Sequence, residues 1–249
     1  MKTRILTAAA VVALVAALAA TTGCTRVRLQ DRPETKTTTE NKAVALEGAT
    51  QLSTELRIGV GELTVSGAET SGSAMVADFT YAPPSWQPEV DYSVEGTAGS
   101  LVVRQPDSVK APMFSDMRNE WNVRLAPGVP TELRLQLGVG RSDLDLRGLD
   151  ITDLNVLTGV GDTTIDLSGP RATDLPARIE AGVGKLVVRL PRSVGVKVDG
   201  REDGVGDFSA DGFISQGNAW VNEAYSGPGP KIEIDLVRGV GDVTLVLVD

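Results

Sequence analysis

The side chains that could support chemistry in this chain are its carboxylates, because the 249 residues include no histidine and only one cysteine. The absence of imidazole excludes Ser-His-Asp and Cys-His nucleophiles, and the single thiol excludes cysteine clusters that bind metals. Two pairs, Asp143 with Asp145 and Asp162 with Asp166, could be proposed as the carboxylates of a glycosidase. Both pairs are better explained as alternating residues on the solvated face of a strand. We therefore predict no catalytic residue, no cofactor and no metal site.

The one cysteine, Cys24, ends a segment that is typical of bacterial export. Two basic residues precede an apolar stretch of 16 residues, 5–20, which is shorter than the roughly 20 residues that cross a bilayer. The residues before Cys24 resemble the lipobox of bacterial lipoproteins, although Thr21 stands where leucine is usual. This resemblance implies that residues 1–23 are a lipoprotein signal peptide and that a lipidated Cys24 holds the mature protein to a membrane.

Residues 24–43 are rich in polar and charged side chains and cannot bury enough apolar area to order themselves, so we expect a flexible tether. The whole chain carries a net charge of −9. This charge disfavours nucleic acid as a partner and keeps the folded part away from anionic lipid headgroups. We expect an exported protein that is anchored on the extracytoplasmic face of a bacterial membrane, and an inner or an outer membrane fits equally.

The strongest internal signal is the tripeptide Gly-Val-Gly, which occurs six times, beginning at Gly59, Gly138, Gly159, Gly182, Gly204 and Gly239. Three consecutive spacings of 21, 23 and 22 residues indicate stacked units of one kind. The degenerate copy Thr97-Ala98-Gly99 indicates a seventh unit within the longest interval. We therefore predict an all-β protein, specifically a β-solenoid with coils of about 22 residues.

The alternation of apolar residues changes phase at each motif. Leu135 and Leu137 share parity with Val139, whereas Leu144 and Leu146 have the opposite parity. The change of phase indicates one extra residue where the chain bends, as at a β-bulge or a corner. We expect the central valine of the motif to face inward. The alternative is a two-residue hairpin turn, which would leave the six valines at exposed tips.

Two further positions repeat at fixed offsets from the central valine. The residue two positions later is charged in all six units: Glu62, Arg141, Asp162, Lys185, Asp207 and Asp242. The residue five positions later is apolar: Val65, Leu144, Ile165, Val188, Ala210 and Leu245. In-register stacking would align the first set outward and the second set inward. The expected outward ladder alternates in sign in the order Arg141, Asp162, Lys185, Asp207.

Several of these segments together resemble the bacterial toast-rack family of lipoproteins and membrane-anchored envelope proteins. They are residues 59–67 (GVGELTVSG), 104–106 (RQP), 119–121 (NEW), 138–144 (GVGRSDL) and 220–225 (WVNEAY). The resemblance implies a stacked β architecture at the bacterial surface. Related domains occur at the C-termini of membrane proteins linked to cell-wall antibiotic and envelope-stress responses, and the family offers no catalytic residues to carry over.

Aromatic residues interrupt the repeat in two regions, between Gly67 and Pro130 and between Gly206 and Gly239. Aromatic side chains on inserted loops are frequent binding anchors. The candidate partner-binding residues are therefore Tyr81, Trp86, Phe114, Trp121, Trp220 and Tyr225. The alternative is that these side chains cap the two ends of the stack, where a terminal coil leaves the core open to water.

We divide the chain after the tether into an N-terminal β region with inserted loops, 44–130, and regular repeats, 131–249. The function that fits best is a non-enzymatic, lipid-anchored envelope protein, a scaffold or sensor that binds a protein or a wall polymer. One alternative is a polysaccharide-active β-helix enzyme that uses carboxylates, although the charges are spread along the coils rather than gathered in one cleft. Another is self-association through an exposed sheet edge, and the oligomeric state stays open.

Overall fold

The computed structural model describes residues 36–68, 72–106, 117–200 and 204–249. The predicted signal peptide, Cys24 and Phe114 lie outside the described residues. Strands account for most of the described chain, and the helices found there are two short 3-10 turns. The prediction of an all-β fold is confirmed for the described part of the chain. Within these residues, no helix has the length and hydropathy to span a bilayer.

The 3-10 turns are Pro84–Trp86 and Glu223–Ser226. The strands, in chain order, are β1 (Thr38–Ala45), β2 (Gln51–Gly67), β3 (Ser73–Ala82), β4 (Glu89–Glu95), β5 (Ala98–Arg104), β6 (Arg118–Leu125), β7 (Thr131–Asp145), β8 (Ile151–Val160), β9 (Thr163–Asp166), β10 (Leu175–Val183), β11 (Leu186–Pro191), β12 (Gly195–Gly200), β13 (Phe208–Asp211), β14 (Ile214–Gln216), β15 (Ala219–Val221), β16 (Lys231–Val240) and β17 (Val243–Val248).

The strands form two rows of hydrogen-bonded neighbours, the first row and the second row. The first row has the order β4-β5-β2-β7-β8-β10-β16-β12-β15-β14. The second row has the order β1-β3-β6-β2-β7-β9-β11-β17-β13. Pairing is parallel from β5 to β12 and from β6 to β13, and antiparallel outside those limits. Strands β2 and β7 run through the motif and contribute one half to each row.

Each Gly-Val-Gly motif is a corner between the two rows. The residues before a motif and the residues after it, whether in one strand or in two, pair with different neighbours rather than with each other. For example, β10 pairs with β8 and β16, whereas β11 pairs with β9 and β17. The corner interpretation is therefore correct, and the hairpin alternative is wrong for this motif.

The spatial order of the units differs from their order in the sequence. The last two strands, β16 and β17, lie between β10-β11 on one side and β12-β13 on the other. As a result Leu186 and Phe208 both align with Val243. The expected contact of Lys185 with Asp207 is wrong, because the unit that contains Asp242 lies between them.

Two boundary predictions also need correction. The segment around Thr97 is a tight antiparallel hairpin between β4 and β5, with Gly96 at φ +62°, and so is not a seventh corner. Residues 38–43, which we assigned to the tether, form most of strand β1 and pair with β3. The side chains of β1 are all exposed or half-buried. This edge strand is therefore ordered by its backbone hydrogen bonds to β3 and not by apolar burial.

Buried aliphatic side chains from both rows join in one core. Leu133 and Leu135 enter it from the first-row half of β7, and Leu144 enters it from the second-row half. Full burial of each such side chain contributes about 1.5–3 kcal/mol, so these inward positions dominate stability. Residues on both sides of position 130 belong to this core, so the predicted regions 44–130 and 131–249 pack together.

Candidate functional site

The corner backbone requires glycine on both sides of the valine. The second glycine has a positive φ in all six motifs, and at Gly140 it is +145°. A Cβ at Gly140 would also lie 1.7 Å from the carbonyl oxygen of Gly61 in the adjacent unit. The first glycine is limited by close approach alone, since a Cβ at Gly159 would lie 2.2 Å from the carbonyl oxygen of Gly138. The glycines of the motif therefore allow the backbones of neighbouring units to stack closely, and the motif is not a phosphate-binding loop.

The central valines face solvent, contrary to the inward orientation that we expected. They are 40–67% exposed. The chain bends around the core at this point, so the apex residue lies on the convex side while its neighbours in the strands turn inward. Register pairs align the six valines in the spatial order Val60, Val139, Val160, Val183, Val240, Val205. At about 4.8 Å per strand, this valine ridge is about 24 Å long.

A row of charged side chains follows the valine ridge along the corner. In spatial order this charged row is Glu62, Arg141, Asp162, Lys185, Asp242, Asp207. All six are exposed, as we predicted. Arg141 Nη2 lies 3.9 Å from Asp162 Oδ2, and the backbone N–H of Lys185 donates to Asp162 Oδ1 at 3.3 Å. The inward set is buried except for half-buried Ala210.

A groove of about 610 Å³ lies at the β2 end of the valine ridge. Val60, Val139 and the half-exposed Met117 form its apolar lining, and Arg118 and Glu120 contribute charge. Arg118 donates two hydrogen bonds to Glu120, at 2.7 and 2.9 Å, and these lower the pKa of the Glu120 carboxyl group. The groove can therefore offer apolar contacts bordered by ionised groups of both signs.

Two side chains that we did not single out as functional cap the first corner. Gln105 Oε1 accepts hydrogen bonds from the backbone N–H groups of Gly59 and Val60, at 2.8 and 3.0 Å. Asn119 Nδ2 donates to the carbonyl oxygen of Val60 at 2.7 Å. Among the described residues, the first corner has no adjacent unit on this side. These side chains supply the hydrogen bonds that the backbone of such a unit would otherwise make. Both residues lie in segments that carry the toast-rack resemblance. That resemblance was the sequence feature by which they could have been identified.

Three of the proposed partner-binding aromatic residues are core residues. Tyr81, Trp86 and Trp121 are at most 3% exposed, so they cannot serve as surface anchors in this structure. Trp121 alternates with buried Val123 and Leu125 along β6, a pattern that was readable in the sequence.

The other two described candidates lie at the opposite end of the stack and are half-buried. The ring of Trp220 packs 4.3 Å from that of Phe208, and the hydroxyl of Tyr225 donates to Glu233 at 2.7 Å. This placement at both ends agrees with the capping alternative.

Three of the four paired carboxylates, Asp145, Asp162 and Asp166, lie within 4 Å of an arginine. Arg147 donates hydrogen bonds to both oxygens of Asp145 and thereby lowers the pKa of its carboxyl group. Asp166 is nearly buried, accepts from Ser168 and lies 3.7 Å from both Arg147 and Arg189. A general acid in glycoside hydrolysis needs a raised pKa, which Asp145 does not have. Within the described residues, no cluster of acidic or cysteine side chains could hold a metal ion.

These features define an all-β protein of stacked strand units whose corners present an exposed apolar ridge beside a charged row. Residues 33–189 match the family model described as the N-terminal domain of toast_rack, DUF2154. The chain belongs to the toast-rack family.

Comparison with solved structures gives a strong similarity to a bacterial protein. A "putative cell adhesion protein" from Clostridium sporogenes ATCC 15579 is 36% identical, with a TM-score of 0.80 over 86% of this chain and 100% of that chain. A "putative adhesin" from Bacteroides fragilis NCTC 9343 is 11% identical, with a TM-score of 0.31 over 86% of this chain and 99% of that chain. No curated protein matches the chain.

Proposed function

We propose that this chain is a non-enzymatic, lipid-anchored protein of the bacterial cell envelope, a scaffold or sensor that binds a protein or a wall polymer. The observation that carries the proposal is the similarity to the Clostridium protein, which is described as a putative cell adhesion protein and is matched over its whole length. Membership of the toast-rack family agrees with a role at the bacterial surface.

The proposed scaffold is a β-solenoid. The parallel, in-register pairing of corners in neighbouring units supports coils that each cross both rows once. A coil of this kind repeats the same outward positions at about 4.8 Å. It therefore suits a protein that displays an extended surface rather than one that encloses a substrate.

The described surface supports binding more than catalysis. The valine ridge and the charged row are exposed and continuous over six units. Hydrogen bonds from neighbouring side chains lower the carboxyl pKa values of Asp78, Glu120 and Asp145. These are the carboxyl groups with a shifted pKa among the described residues. Turnover of peptidoglycan, pectin or alginate fragments that is lost in Asp145→Asn would overturn the non-enzymatic part of the proposal.

The anchor can be tested on the full-length chain in a bacterial host fed an alkyne-bearing fatty acid. We expect the label in the protein and the protein in the membrane fraction. Both should be lost in Cys24→Ser and retained in Thr25→Ser, the matched control at the next residue. An unlabelled wild-type protein in the soluble fraction would contradict lipid anchoring.

A further inference from the structure

We propose that the valine ridge is the surface through which two copies of this chain associate, antiparallel and related by a two-fold axis, with their charged rows facing. This inference rests on the proposed binding role and names one partner for the same surface. It differs from pairing through an exposed sheet edge, because the corners lie between the rows rather than at their ends.

The first argument is the residue type at the apex. All six apex positions are valine although each side chain is 40–67% exposed. Extended backbone geometry favours a β-branched residue, but threonine would satisfy that preference without exposing a second methyl group. Burial within the folded unit does not explain the choice either. A continuous exposed apolar ridge bordered by charges is typical of a surface that another molecule covers.

The second argument is the order of signs in the charged row. From Glu62 to Asp207 the signs are negative, positive, negative, positive, negative, negative. A two-fold contact must be self-complementary, so each residue of one copy faces the residue at the mirrored place in the other. The antiparallel arrangement places Asp162 opposite Lys185 and Arg141 opposite Asp242, each pair occurring twice. The like-charge contact, between Glu62 and Asp207, falls at the two ends.

The same charges select one alignment of the two ridges. A shift by one strand in one direction places Arg141 opposite Lys185 and Asp162 opposite Asp162. A shift in the other direction places Lys185 opposite Lys185 and Asp162 opposite Asp242. Like charges directly opposite each other are destabilising, so the centred alignment is preferred.

Other occupants fit this surface less well. The charged row contains four acidic and two basic residues, and the whole chain has a net charge of −9, so an anionic membrane surface would be repelled. The groove at the β2 end has no aromatic side chain in its described lining on which a sugar ring could stack. A second copy satisfies both the apolar ridge and the alternating charges.

The test uses two differently tagged full-length copies expressed together, with co-purification as the measurement. We expect the wild-type copies to co-purify. The paired substitution V160D/V183D should abolish co-purification, because it places charges at the centre of the ridge. The matched control is Glu132→Lys, which changes an exposed residue of β7 away from the ridge and should leave co-purification unchanged. Circular dichroism checks that each variant is folded.

Charge exchange between copies is the decisive experiment. Asp162→Lys paired with itself, and Lys185→Asp paired with itself, should each lower co-purification about 5- to 10-fold, because like charges then face each other. One copy with Asp162→Lys and the other with Lys185→Asp should associate as the wild type does. This rescue requires contact between copies, because the neighbouring Asp162 and Lys185 positions within each copy carry like charges.

Three results would overturn the inference. They are wild-type copies that do not co-purify, association that is insensitive to V160D/V183D, and a failure of the mixed charge variants to recover. If the copies do not associate while crosslinking in native cells captures another envelope component, the inference fails and the proposed function stands. If the wild-type chain is soluble and unlabelled in the anchoring experiment, the proposed anchoring fails irrespective of the ridge.

Discussion

Each residue of the Gly-Val-Gly corner has a separate physical role. The first glycine permits close approach of stacked backbones, the valine projects outward at the apex, and the second glycine takes a positive φ. In the corners that begin at Gly138, Gly159, Gly182 and Gly239, carbonyl groups of the adjacent unit leave no room for a side chain at either glycine. Substitution at the two glycines should therefore separate the cost of close approach from the cost of backbone conformation.

We expect Gly140→Ala to lower the free energy of unfolding by about 3 kcal/mol or more, because backbone strain and close approach coincide there. Gly159→Ala tests close approach alone, since its backbone lies outside the left-handed region. Gly128→Ala tests backbone strain alone, because φ is +71° and no atom lies within 4 Å of the added Cβ. We expect about 1 kcal/mol for that control. Urea unfolding followed by circular dichroism measures all three, and equal losses at Gly140 and Gly128 would contradict the stacking argument.

The direction of the valine side chain was not predictable from alternation alone. Leu137 and Leu144 are both buried, and their opposite parity shows that one residue is absorbed between them. Parity does not say which of the three motif residues leaves the inward row. The positive φ at Gly140 and the bend around the core decide this, and both depend on the adjacent unit.

At the scale of elements, the ends of the stack need groups that replace a missing neighbour. Gln105 and Asn119 do this at the first corner. Asn222 does the same near β12, since its Oδ1 accepts from the N–H of Val196 at 2.9 Å and its Nδ2 donates to the carbonyl oxygen of Val194 at 2.7 Å. Buried backbone groups without a partner are costly, which explains polar side chains at these buried positions.

Gln105→Leu should destabilise the protein by about 2 kcal/mol, because the N–H groups of Gly59 and Val60 lose their acceptor. Hydrogen exchange at these two amides should accelerate more than exchange elsewhere in β2. Gln105→Glu is the matched variant, since it keeps the acceptor oxygen and Nε2 of Gln105 has no hydrogen-bond partner within the described residues. It should show a smaller change in both measurements. Unchanged exchange at Gly59 and Val60 in Gln105→Leu would contradict the capping role.

The existence of repeated strands was readable from the sequence, but their spatial order was not. Asp207 and Asp242 occupy equivalent positions in their units, so the charge pattern is identical whichever unit lies beside Lys185. The spatial order depends on the segment that contains β14 and β15, which connects β13 to β16. This segment leads the chain back past β12, so that β16 lies between β10 and β12. A repeat period carries no information about such a return.

At the scale of the whole molecule, aromatic side chains lie towards both ends of the core. Phe79 contacts Trp121 edge to face at 5.4 Å near one end, and Phe208 contacts Trp220 at the other. The sequence showed where the aromatic residues interrupt the repeat, and the alternation along β6 showed that Trp121 faces inward, but nothing in the sequence indicated that Trp86 is buried. Burial of Trp86 depends on the 3-10 turn beside β3, a contact that its local sequence does not encode.

Surface ion pairs across the molecule give its stability a dependence on pH. The carboxyl pKa values of Asp78, Glu120 and Asp145 are lowered by hydrogen bonds, with Arg118 acting on Glu120 and Arg147 on Asp145. A lowered folded-state pKa contributes stability that is complete above the unfolded value and is lost as the pH falls through the folded value. The ordinary values are 3.8 for aspartate and 4.5 for glutamate, so the loss belongs to acid pH.

We expect the urea midpoint to be constant from about pH 7 to pH 5 and to fall between about pH 4 and pH 2. Each side chain is 41–42% exposed, so each contribution is small and should weaken further in high salt. Asp145→Asn should reduce the acid-induced fall. The matched control, Asp143→Asn, changes an exposed residue of the same strand that forms no ion pair within the described residues, and it should leave the fall unchanged. Equal behaviour of the two variants would show that the Arg147 contact does not contribute.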